Sequence, residues 1–119
     1  MISLNLIGCS LGPSAANRSH KAYIAGEYAE SIRLANRALS TYEYDKEEKA
    51  NLLYLKADSY AKLNRYTDAY GIIQYIFKTY PETEAFYRAK TLITSVAKHL
   101  QQKPIIKPKV KQKTVTQAI

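Results

Sequence analysis

Tryptophan is absent from this chain of 119 residues, phenylalanine occurs twice, and cysteine and methionine once each. One cysteine excludes an internal disulfide framework and a cysteine-rich metal site. The two histidines, His20 and His99, stand 79 residues apart and lack the short helical spacing of a metal pair. Four scattered glycines form no phosphate-cradling loop. No apolar run is long enough to cross a bilayer as a helix. The neighbouring carboxylates Glu47, Glu48 and Glu82, Glu84 fall at expected helix N-termini, where negative charge favours the helix dipole. No base, orienter and nucleophile can be assembled around Cys9 and Ser10. No catalytic residue, metal ligand or cofactor is therefore assigned, and the chain is expected not to be an enzyme.

Tyrosine supplies nearly all the aromatic content, 11 of 13 such residues, against an ordinary apolar fraction of 46%. Helix signals recur along the chain. A first helix is expected from about Ser14 to Ile24, stopped by Gly26, which tolerates a left-handed backbone. A second runs from about Tyr28 to Tyr42, with Ile32, Ala35, Leu39 and Tyr42 as its apolar stripe. Asp45 followed by Glu48 reads as a capping box for a third helix ending near Leu63, with Asn64 as its stop. A fourth spans about Tyr66 to Tyr80, and Pro81 breaks it. Thr83 caps a fifth from Glu84 to Gln101 or Gln102, which carries Phe86, Ala89, Ile93, Val96, Ala97 and Leu100 on one side and is ended by Pro104. Arg88, Lys90, Thr91, Ser95 and Lys98 would give that last helix a polar outer face.

A half-repeat occurs twice, as Gly26-Glu27-Tyr28-Ala29-Glu30-Ser31-Ile32 through Leu39 and as Asn64-Arg65-Tyr66-Thr67-Asp68-Ala69-Tyr70 through Phe77. Leu53, Ala57 and Tyr60 share a helical face ahead of Tyr66, Ala69, Ile73 and Ile76, and Pro81 follows. This pattern resembles the tetratricopeptide repeat (TPR), in which small residues sit where two helices touch and a proline closes the second helix. Ser31 and Glu43 stand in the first copy where alanine and proline are usual. Tyr28 and Tyr66 are 38 residues apart, longer than the repeat period of about 34, and the extra residues are assigned to the connection from Tyr42 to Lys46. The fold class expected is all-α, with antiparallel helix pairs stacked as a short right-handed TPR-like solenoid of about five helices. Its divisions are residues 1–14, 15–102 and 103–119.

The first division contains Leu6-Ile7-Gly8-Cys9, which resembles a bacterial lipobox, although fewer residues precede it than a secretory signal usually has. The resemblance implies lipidation of Cys9, with Leu11 to Ala16 as a flexible tether and Ser10 favouring the outer membrane. The alternative is a buried, unmodified Cys9. The last division, a disordered tail rich in lysine and proline, carries five of the eight net positive charges on Lys103, Lys107, Lys109, Lys111 and Lys113. It suits an anionic partner; without arginine or aromatic residues, nucleic acid is the least favoured.

In TPR arrays the first helix of each pair lines a concave surface, and that resemblance places His20, Tyr23, Asn51, Tyr54, Asp58, Lys62 and Arg88 there. It lacks the paired lysines and asparagines that clamp a C-terminal carboxylate in some family members. The expected function is a protein interaction module, a lipid-anchored envelope protein facing the periplasm that helps assemble secretion, pilus, motility or outer-membrane machinery. The alternative is a cytoplasmic adaptor or chaperone-like protein without lipid. The first helix has few apolar residues, so either a partner or a second copy of the chain is expected to cover it.

Overall fold

Gly26, Asn64 and Pro81 are where helices stop in the computed structural model, which describes residues 11–102. Five helices result: α1 (Leu11–Ile24), α2 (Tyr28–Thr41), α3 (Lys46–Lys62), α4 (Tyr66–Thr79) and α5 (Glu84–Gln102). There is no strand among the described residues. Cys9, Pro104 and the tail lysines lie outside them.

The turns α1–α2 and α3–α4 are the same turn, made by residues 38 positions apart. Gly26 has φ 82° and Asn64 φ 64°. The Glu27 N–H donates to the Ala22 carbonyl and the Arg65 N–H to the Tyr60 carbonyl, both at 2.8 Å. The Gly26 N–H donates to Tyr23 at 3.0 Å and the Asn64 N–H to Ala61 at 2.9 Å. Together these are the two bonds of a Schellman cap, which satisfies the last carbonyls of a helix. The N-termini of α3 and α5 use side chains instead. Asp45 accepts the Glu48 N–H at 2.9 Å. The Thr83 hydroxyl accepts the Phe86 N–H at 3.1 Å and donates to the Tyr80 carbonyl at 2.8 Å, across a turn in which Glu82 takes φ 75°. Glu48 does not complete the capping box among these bonds; its carboxylate faces His20 at 3.8 Å.

Consecutive helices pack as antiparallel neighbours. α3 also packs on α5, and more lightly on α1. The arrangement is a short α-solenoid of stacked helix pairs, with α1, α3 and α5 side by side in one layer.

The offset of 38 also relates Ser19 to Ala57 and Ser31 to Ala69, and all four side chains have 0% exposure. In the first pair the helices exchange hydrogen bonds: Ser19 Oγ donates to the Ser31 carbonyl at 2.8 Å, and Ser31 Oγ to the Ser19 carbonyl at 2.9 Å. Serine thus replaces alanine without loss of closeness, because its hydroxyl finds a backbone acceptor across the contact. Around these contacts, one core joins Ala15, Ala16, Ala35, Ala38 and Leu52, and the other joins Ala57, Ala69, Ile73, Ala89 and Val96.

Several expectations change. α1 begins at Leu11, three residues before Ser14, so residues 11–16 are helical rather than a tether, and Ala15 and Ala16 are buried. Pro13 is accommodated because a first helical turn has no partner for the missing N–H. Apolar surface on α1 is scarce, but small residues suffice at this contact. The connection 42–45 is no longer than 80–83, so the extra repeat length lies in α3, which has 17 residues against 14 in α1, α2 and α4. Tyr42 is exposed, whereas Leu34 and Ala38 are buried on α2. The polar outer face of α5 is as expected: Arg88, Lys90, Thr91, Ser95 and Lys98 are all exposed.

Ser19→Ala should cost about 1 kcal/mol, the usual value of one internal hydrogen bond. Ser19→Ala with Ser31→Ala should cost less than the sum of the single changes, since it recreates the Ala57 and Ala69 contact. Urea unfolding of the three variants measures this; strict additivity would contradict the coupling. Gly26→Ala should destabilise by about 1 kcal/mol and Gly26→Asn by less, because asparagine already occupies the equivalent left-handed position. Equal losses would contradict the shared cap.

Candidate functional site

In the layer formed by α1, α3 and α5, one strip of α3 lies between its two neighbours. Asn51, Asp58 and Lys62 recur at helical spacing along that strip, with Tyr54 beside it. The expected site residues separate here into two groups.

Tyr23, Tyr54, Asp58, Lys62 and Arg88 form one connected set. The Tyr23 hydroxyl donates a hydrogen bond to Asp58 Oδ2 across from α1 to α3. The same carboxylate oxygen lies 3.6 Å from Lys62 Nζ. Asp58 is only 6% exposed, so both contacts offset the cost of burying a charge. From α5, the Arg88 guanidinium lies over the Tyr54 ring at 4.7 Å from its centroid. Tyr28 closes the far edge, its ring packed edge-on to Tyr23 at 5.8 Å.

Burial, then the Asp58 hydrogen bond and charge, push the Tyr23 phenol above its ordinary range. Burial and the Asp58 charge raise the Tyr54 phenol too, with Arg88 opposing. The mutual influence of Tyr23, Tyr54 and Asp58 ties the set together. Both rings stay neutral at physiological pH and present a hydroxyl and a π-face, as suits recognition of a mixed polar and apolar chain.

His20 and Asn51 belong elsewhere. His20 faces Glu48, and Asn51 lies in a notch of about 180 Å³ with Glu47, Glu48, Glu84 and Ala85. Glu47 accepts the Glu84 N–H at 3.3 Å, tying the N-termini of α3 and α5 together. The face therefore has a carboxylate-rich end and an aromatic, cationic middle. Glu47 and Glu48 were overlooked as part of it, although Glu47, Asn51, Tyr54 and Asp58 follow one helical stripe. A wide concavity of about 790 Å³ follows α5, and its lining among the described residues, Lys90 and His99 included, comes from that single helix. No group of three or more potential metal ligands occurs among the described residues, and no described helix is long and apolar enough to cross a membrane.

This is the surface of an array of helical hairpins, with its polar and aromatic groups spread along a face rather than converging on a reacting atom. No protein-family model, curated protein or solved structure matches the chain.

A phenol held above its unfolded value contributes stability that is present below that unfolded value, about 10, and is lost as pH rises past it. Stability should therefore fall between pH 9 and 11, and less steeply in Tyr23→Phe. Urea unfolding at both pH values checks this; an unchanged slope would show that the fold does not raise the Tyr23 phenol. Asp58→Ala should cost about 1 kcal/mol by removing the acceptor of the half-buried Tyr23 hydroxyl, read by the same urea unfolding.

Proposed function

We propose that this chain is a non-enzymatic TPR-like interaction module whose α1–α3–α5 face binds an extended peptide or helix of a partner protein. The observation that carries the proposal is the connected set of Tyr23, Tyr54, Asp58, Lys62 and Arg88. Three helices contribute to it, its rings are fixed by neighbours before any partner arrives, and no carboxylate lies within ion-pairing distance of Arg88 among the described residues. A fixed tyrosine carrying a stacked arginine matches the residue types that anchor protein interfaces.

The resemblance of Leu6-Ile7-Gly8-Cys9 to a lipobox extends the proposal to a lipid-anchored envelope protein that helps assemble or position a larger complex. With α1 starting at Leu11, such an anchor would leave little slack between lipid and domain.

Intact mass of the protein from its native host, compared with Cys9→Ser, tests the anchor. Acylation lost in the variant supports it, and an unmodified chain selects the adaptor without lipid. Tyr54→Ala with Arg88→Ala tests the face: any partner that copurifies with the wild type should be lost while the helical circular dichroism is kept. Retention of the partner would overturn this assignment.

A further inference from the structure

The carboxylates are concentrated at one end of the molecule. α1, α3 and α5 run in the same direction, so their N-termini share an end with the connections α2–α3 and α4–α5. Glu43, Asp45, Glu47, Glu48, Glu82 and Glu84, six of the ten acidic residues, lie there.

Between α1 and the α2–α3 connection this end opens a cleft of about 450 Å³, lined by Ala16, Tyr42, Glu43, Tyr44, Asp45 and Glu48 among others. Its aromatic wall is formed by Tyr42 and Tyr44, with ring centroids 4.7 Å apart. Tyr42 is 47% exposed, large for a ring at the mouth of a cleft. Glu43 pairs with Lys49 at 2.6 Å, and Asp45 holds the Glu48 N–H. Among the described residues no lysine or arginine lines the cleft itself. Carboxylates beside tyrosine faces suit a segment of lysine and proline, whose ammonium groups meet the carboxylates while stems and rings lie on the aromatic wall.

The chain contains such a segment. Lys107, Lys109, Lys111 and Lys113 alternate with Pro108, Val110 and Gln112. An extended stretch with that alternation carries its lysines on one face, about 6.6 Å apart. The distance the segment must cover decides which molecule it reaches. α5 starts at the acidic end, where the Glu84 N–H meets Glu47, and its 19 residues carry Gln102 about 28 Å away. Returning along its own domain would use about nine residues at roughly 3.1 Å each, so most of the lysines would be spent on the way. A second molecule with its acidic end beside Gln102 meets the whole segment.

We propose that residues 103–113 of one molecule dock in the Tyr42 and Tyr44 cleft of the next, giving a salt-sensitive head-to-tail association. Such a contact joins two different surfaces, so it yields an open series of oligomers rather than a closed dimer.

The test is sedimentation velocity of the full chain over a range of concentrations at low and high salt. The wild type should associate progressively at low salt and dissociate at high salt. Lys109→Glu with Lys111→Glu, or separately Tyr42→Ala with Glu43→Lys, should weaken association about tenfold or more with the helical content unchanged. Mixing the two variants should restore pairing, because the cleft variant keeps an intact tail and the tail variant an intact cleft; no pairing in the mixture overturns the proposal. A wild type that stays monomeric overturns the proposal. So does association that survives the cleft variant, which would put the tail elsewhere. Tail resonances that shift with the cleft variant in a strictly monomeric sample would place the segment in its own cleft and overturn the second-molecule assignment.

Discussion

Where α1 meets α2 and α3 meets α4, fully buried residues no larger than serine sit at the contact, Ser19 and Ser31 in the first and Ala57 and Ala69 in the second, and in the first the backbones are close enough for a hydroxyl on one helix to reach a carbonyl on the other at 2.8 or 2.9 Å. The rest of the fold depends on that closeness. It allows three-residue turns, and those turns in turn require the left-handed backbone of Gly26 and Asn64. It also explains how α1, with alanine and serine as its buried residues, stays attached: a close contact gains dispersion energy over the whole helix surface even when each side chain is small.

α3 is the element every other contact refers to. Leu52, Leu55, Ala57, Asp58 and Ser59 are all buried, and they do not lie on one side of the helix. An amphipathic stripe is a sound guide for a helix with one covered face, but α3 has neighbours on several sides. This is why Leu53, Ala57 and Tyr60 were an incomplete account of its core. Helix ends were legible because each has a local cause in a glycine, an asparagine, a proline or a capping oxygen, and local causes are written in adjacent residues. The start of α1 was not, because Gly12 and Pro13 read as linker residues unless the burial of Ala15 and Ala16 is already known.

The candidate face was legible to about the same depth. The resemblance to a known repeat put Tyr23, Tyr54, Asp58, Lys62 and Arg88 on one surface, together with His20 and Asn51. Spacing within one helix cannot show that the Tyr23 hydroxyl reaches Asp58, or that Arg88 rests on Tyr54, since those contacts depend on how neighbouring helices are offset along their axes. The same limit separated His20 and Asn51 from the rest. Their register brings them beside Glu48 and Glu47, and the outcome is a face divided by charge rather than a uniform groove.

That division bears on how the molecule could be oriented at a surface. A lipid on Cys9 would hold the N-terminus of α1 against the membrane, and this is the carboxylate-rich end, which anionic headgroups repel. The lysine tail leaves the opposite end, beyond Gln102, about 28 Å along α5. In an anchored molecule the basic tail would thus be attached about 28 Å from the end that carries the lipid. A tail meant to strengthen membrane attachment would be placed beside the anchor, where polybasic segments act together with acyl chains. Its attachment at the far end instead favours a protein surface as its target, and the acidic, tyrosine-lined cleft of another molecule is one surface of the right charge.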